Sequence, residues 1–172
     1  MSSNLTVHLV DVIPWSNLNR DDTGLPKRTR QGGVERGLLS SQAIKRAARV
    51  DYEEKSGDIS VRSANLADAV AERATELSPE TDSAQLLQAA RTLVGQLTKD
   101  GAADADESGR SAWLSAEEIE AAATAILNDA DALPIEEGRT GSLAIAAFGR
   151  MFANKANLKT EAAISVSPAV ST

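Results

Sequence analysis

At 172 residues the chain is long enough for one good core, and its 42% hydrophobic and 25% charged content is ordinary for a globular protein. Aromatics make up only 3% and cysteine is absent, which excludes disulfides, thiolate nucleophiles and Cys-ligated zinc and suits a cytoplasmic protein. The net charge is −7, yet residues 18–49 hold Arg20, Lys27, Arg28, Arg30, Arg36, Lys45, Arg46 and Arg49 against Asp21, Asp22 and Glu35, a local excess of +5. Charge asymmetry of this kind points to an anionic partner, a polyphosphate backbone first.

Thr6 to Ile13 is short and dense in β-branched residues, so it reads as a strand that Pro14 ends. Trp15 to Gly37 contains Gly24, Pro26, Gly32 and Gly33 without sustained periodicity and reads as a long loop. Leu38 and Leu39 suggest a short strand, and Ser40 or Ser41 can cap a helix from about Gln42 to Tyr52. On that helix Ile44, Ala47 and Ala48 share an apolar face, while Gln42, Lys45, Arg46 and Arg49 stack on another. The polar row is either a solvated surface or a set of donors aimed at phosphates; the basic loop beside it favours the second.

From Ser63 to about Leu127 the chain becomes helical and acidic. Leu66, Val70, Ala74 and Leu77 form one stripe, and Leu86, Leu87, Ala90, Leu93, Val94 and Leu97 a clearer one. Ser115 and Glu118 match a capping box ahead of Ile119, Ala122, Ala123, Ile126 and Leu127. Asp100 to Ser111 reads as a polar linker. Beyond Pro134, periodicity does not decide between strand and helix for Ser142 to Phe148. Ala162 to Val170 is more strand-like, with Pro168 confining it to an edge or an end.

Little suggests catalysis. His8 is the single histidine, and a lone histidine is more often structural than a ligand. Asp104, Asp106, Ser108 and Gly109 imitate a calcium loop, but Ser115 stands where a bidentate Glu is needed. Asp21-Asp22 is the best acidic pair for a magnesium nuclease, and such a pair in a basic loop more often braces Arg and Lys. No phosphate-binding glycine loop occurs. No apolar run approaches a membrane span and residues 1–13 do not make a signal peptide, so no membrane partner is expected.

Leu18-Asn19-Arg20-Asp21-Asp22, Lys27, Gly32-Gly33 and Ser40-Ser41-Gln42 with Lys45-Arg46-Ala47 and Arg49 closely resemble the N-terminal signature of the CasC family. These are the crRNA-binding backbone subunits of Cascade, the type I-E CRISPR effector complex. Ala147-Phe148-Gly149-Arg150-Met151 is similar to that family's Gly-Arg-Met motif, and Glu161 to Val166 with Ala169 to Thr172 resembles the strand after it. Ser167-Pro168 departs from the Ala-His usual there, and family members continue past Thr172.

The resemblance implies an α+β fold: an RRM-like (ferredoxin-like) palm with an inserted helical finger, the thumb hairpin lying beyond this chain. Residues 1–62 and 140–172 would belong to the palm and residues 63–139 to the finger. It implies a non-catalytic subunit without cofactor or metal, whose copies line up along crRNA, present it to target DNA and contact other Cascade subunits. Asn19, Arg20, Lys27, Ser40, Gln42, Lys45, Arg46, Arg49, Arg150 and Met151 would contact the RNA. The rival reading is a helical interaction module whose basic segment docks an acidic protein, for which binding need not show the steep, regular salt dependence of phosphate contacts.

Overall fold

The computed structural model describes residues 4–14, 16–63, 66–97 and 112–172, which form a mixed α+β fold with small antiparallel sheets. The chain divides into two compact units, Met1–Ile44 with Ser167–Thr172, and Lys45–Val166.

The first unit is built on a hairpin of β1 (Arg28–Gln31) and β2 (Val34–Leu39). Gly32 and Gly33 connect the strands at φ 63° and 79°, the left-handed geometry that a two-residue hairpin turn demands and that glycine adopts without steric cost. The hairpin takes residues 28–37 out of the loop expected from Trp15 to Gly37, while 16–27 remain turn and loop. A further strand, β5 (Ala169–Val170), pairs with the other edge of β2 through Leu38↔Val170 and Leu39↔Ala169. Ser171 extends the join, donating its amide to the Gly37 carbonyl at 3.0 Å and accepting the Arg36 guanidinium on its own carbonyl at 2.9 Å. Pro168, lacking an N–H, stands just before β5, the placement its chemistry permits.

The expected strand at Thr6–Ile13 does not form. Leu9 and Val10 are 90% and 98% exposed, and among the described residues no strand pairs with this segment. β-Branched residues favour an extended chain, but a strand needs a partner for its backbone groups and an apolar surface to cover its side chains.

Helix α1 (Ser41–Ser56) crosses the boundary between the units. The Ser40 hydroxyl accepts the Ala43 amide at 3.3 Å, so the expected cap is present. The faces of this helix differ from those expected. Ala47 and Ala48 are exposed, while Lys45, Arg49, Tyr52 and Glu53 are half-buried.

In the second unit, β3 (Ser60–Ser63) pairs antiparallel with β4 (Ala112–Ser115), all four residues of which are buried. Against this ribbon pack α2 (Leu66–Leu77), α3 (Ser83–Val94) and α4 (Ala116–Leu127). Leu66, Val70 and Ala74, then Leu86, Ala90 and Leu93, then Ala122 and Ile126 fill one core with Leu97, Leu114 and Phe152. These are the stripes read at helical spacing, except that Leu77 is 40% exposed. Alanine at the contact positions lets the helices approach closely, so few aromatics are needed. Asp82 caps α3, and Ser115 with Glu118 forms the expected capping box on α4.

Ser142 caps a short helix, α5 (Leu143–Phe148), which settles that segment as helical. Gly149 ends it at φ 76°, where a Cβ would lie 3.0 Å from the Thr160 carbonyl oxygen and the Ala162 nitrogen. The segment read as strand-like from Ala162 instead uses its first amides on α5: Ala163 and Ile164 donate to the carbonyls of Ala146 and Ala147. These carbonyls have no partner within the helix, so the chain is spent on capping and only Ala169–Val170 remains for a sheet.

Candidate nucleic-acid interface

Three of the residues singled out in the first unit are held together. Lys27 donates its amide to the Asn19 carbonyl at 2.7 Å, and the Asn19 side-chain oxygen accepts the Ser40 amide at 2.8 Å. Asn19 is therefore a brace between the base of the β1–β2 hairpin and the start of α1. Arg20 is exposed and joined through its backbone to Pro26 across a small turn. Gln42 is exposed, and its side-chain Oε1 accepts the Ser41 hydroxyl at 3.3 Å.

Asp21 organises that turn. Its Oδ1 accepts the Thr23 hydroxyl at 2.7 Å and the Thr23 and Leu25 amides at 2.9 and 3.0 Å. The Thr23 hydroxyl bond, followed by the backbone amides, holds the carboxyl below the ordinary carboxylate range against the opposing effect of desolvation. This is turn chemistry, and among the described residues no group of three or more His, Cys, Asp or Glu is placed to hold a metal. The calcium-like residues Asp104, Asp106, Ser108 and Gly109, and the linker Asp100 to Ser111, lie outside the described residues. His8 is exposed.

In the second unit the expected row on α1 separates. Arg46 is exposed and Lys45 half-buried. Arg49 turns inward: its guanidinium meets Glu53 at 2.6 Å, with the two side chains 18% and 12% exposed, and lies 5.7 Å above the Trp113 ring. Trp113 donates its indole N–H to the Ser60 hydroxyl at 2.6 Å, and Ser60 donates to Glu53. Glu53 thus neutralises Arg49 while fixing where it points. Glu53 stands four residues after Arg49 on the same helix, a local signal that sequence reasoning passed over, whereas Trp113 carried none because Arg49 and Ser60 lie on other elements.

Arg150 sits deeper still. Its guanidinium grips both oxygens of Glu118, at 2.5 and 2.8 Å, and donates to the carbonyls of Trp113 and Arg139. It also stacks 4.9 Å from the centre of the Phe152 ring. The Arg150 side chain is 1% exposed, so its charge is committed to the protein interior. The expected RNA-facing arginine is placed by the structure as an internal strut, because a buried guanidinium needs a carboxylate and carbonyls around it. Met151, its neighbour, is 77% exposed.

Among the described residues, no carboxylate pairs with Arg20, Lys27, Lys45 or Arg46. These four expected contact residues are thus free of carboxylates to meet an external anion, as are Arg30 and Arg36 on the hairpin. No described helix is long and apolar enough to cross a membrane.

Comparison with known proteins gives this arrangement a context. No curated protein matches the chain. Two solved chains resemble it in structure. A chain of a "CRISPR RNA-guided surveillance complex" is 26% identical with a TM-score of 0.68, covering 92% of this chain and 55% of its own. A chain of a "CRISPR RNA-guided surveillance complex, pre-nicking" is also 26% identical, with a TM-score of 0.71, covering 91% of this chain and 49% of its own. The chain therefore spans about half the length of the solved chains it matches. The profile of the CT1975-like protein family, a Cas family, matches residues 5–172. With all but its first four residues inside that match, the chain belongs to the CT1975-like protein family of Cas proteins.

Proposed function

We propose that the chain is a non-catalytic, crRNA-binding backbone subunit of a type I-E CRISPR surveillance complex. In this reading several copies line up along the guide RNA in the cytoplasm, contact other Cascade subunits and hold the guide for pairing with target DNA. Residues 1–62 and 140–172 would belong to an RRM-like palm and residues 63–139 to its helical finger.

The observation that carries the reading is that Arg20, Lys27, Lys45 and Arg46 have no carboxylate partner among the described residues, in a chain of net charge −7. Asn19, Ser40 and Gln42 add polar groups in the first unit. Contacts of this kind hold a backbone without reading bases, so sequence selection is left to guide–target pairing. Arg49 contributes as a positioned cation braced by Glu53, and Arg150 by supporting the fold beneath Trp113 rather than by touching RNA. Met151 offers an apolar contact.

The membership in a Cas family and the likeness to chains of RNA-guided complexes support this reading over a protein-docking module. The test is to mix the chain with guide RNAs of increasing length and weigh the complexes by mass photometry. Mass should rise stepwise with RNA length, and labelled RNA or DNA left with magnesium should stay intact. A single chain bound at every length, or cleavage of the nucleic acid, would contradict the proposal.

A further inference from the structure

The β1–β2 hairpin carries cations that the first-unit residues discussed above do not include. Its register places Arg28, Arg30 and Glu35 on one face, and Thr29, Gln31, Val34 and Arg36 on the other. Arg28, Thr29, Arg30, Gly33 and Glu35 line an open concavity of about 400 Å³. None of these five residues is buried, so the arginines do not serve packing. The Arg30 side chain has no hydrogen-bond or ion-pair partner among the described residues. Arg28 pairs with Glu35 at 2.9 Å, but both side chains are more than half exposed, and such a pair yields readily to a competing anion. The glycines at the tip add no side chain to block approach.

We propose that Arg28 and Arg30 form a second phosphodiester clamp, which holds the backbone of a single RNA strand beyond the segment met by Asn19, Lys27 and Ser40. Residues two apart on one strand face stand about 6.6 Å apart, a spacing comparable to that of neighbouring phosphates. The planar guanidinium fork matches phosphate oxygens two at a time. RNA is the occupant because Lys27 immediately precedes β1 and its amide is tied to Asn19, so a strand at Lys27 has Arg28 and Arg30 within one or two nucleotides. This inference rests on the RNA-binding reading of the chain.

The test is an anisotropy titration of labelled single-stranded RNA across a salt series. It compares the native chain with Arg28→Ala/Arg30→Ala, Arg28→Lys/Arg30→Lys and Arg46→Ala, with a single-stranded DNA arm. The alanine pair should weaken RNA binding about tenfold at low salt and flatten the log–log slope by about 1.4, at about 0.7 per lost single-strand contact. The lysine pair should recover the slope, because that term depends on charge, but only part of the affinity. An alanine pair that binds like the native chain while Arg46→Ala weakens binding overturns the clamp and leaves the wider reading standing. A flattened slope with the alanine pair but not with Arg46→Ala keeps the clamp and removes α1 from the interface. Tighter binding of DNA than RNA, or no binding by a folded native chain, overturns the clamp as stated.

Discussion

Arg150 and Glu118 form a two-pronged ion pair with side chains 1% and 9% exposed, and Glu118 simultaneously accepts the Ser115 amide as the far arm of the α4 capping box. One carboxylate therefore ties the start of α4 to the chain that follows α5. Three carbonyl or carboxylate groups surround the guanidinium, so the charge is compensated where water is excluded.

Breaking this pair from either side leaves a buried charge without its partner. Glu118→Ala should destabilise the chain by about 3–5 kcal/mol, and Arg150→Ala by a similar amount. Urea unfolding followed by circular dichroism measures both. For Arg150→Ala, RNA binding should fall only as the folded fraction falls. A folded variant that has lost binding would place Arg150 at the RNA instead.

Gly149→Ala should cost about 1–3 kcal/mol, because φ 76° disfavours any side chain and the new Cβ would press on the Thr160 carbonyl and the Ala162 amide. A thermal melt reads this directly. An unchanged midpoint would show that the turn after α5 relaxes freely.

Trp113→Phe keeps most of the apolar surface but leaves the Ser60 hydroxyl without its indole donor and weakens the platform under Arg49. A loss of about 1–3 kcal/mol is expected from the broken buried hydrogen bond. Pairing it with Arg49→Met in a double-mutant cycle should show coupling of about 0.5–1 kcal/mol or more, the range for a cation over an aromatic face. Strict additivity would mean that the ring and the guanidinium act separately.

The Asp21 turn should respond to acid. Its folded carboxyl titrates below the ordinary 3.8, so the turn's stabilisation is present above about pH 3.8 and is lost as pH falls through the lower folded value. Carboxyl chemical shifts and exchange of the Thr23 and Leu25 amides follow this. A titration midpoint at or above 3.8, or exchange that does not quicken below it, would contradict the assignment.

What the sequence made legible follows from where the determining interactions lie. The helices around Val70, Ala90 and Ala122 were readable because helical spacing and the Ser115–Glu118 cap are local. The β1–β2 hairpin was equally local, with Gly32-Gly33 as its signal, but the segment reads as a loop because its short, charged strands show no apolar alternation. Thr6–Ile13 looked like a strand because propensity says nothing about whether a partner is present. On α1, counting cations identified one face, but Glu53 and Trp113 decide that Arg49 turns inward while Ala47 and Ala48 stay exposed. Arg150 was legible as a motif residue and not as a strut, since Glu118 lies thirty-two positions away.

RNA binding by this chain is proposed to rest on its unpaired cations meeting an RNA backbone. The most direct test is an anisotropy titration of labelled crRNA over a salt series, comparing the native chain with Lys45→Glu/Arg46→Glu after circular dichroism shows both folded. Binding should weaken linearly on log–log axes with salt, tolerate changes of RNA sequence, and fall at least tenfold in the double variant. Binding that is indifferent to salt, or equal in the two proteins, would contradict the proposal.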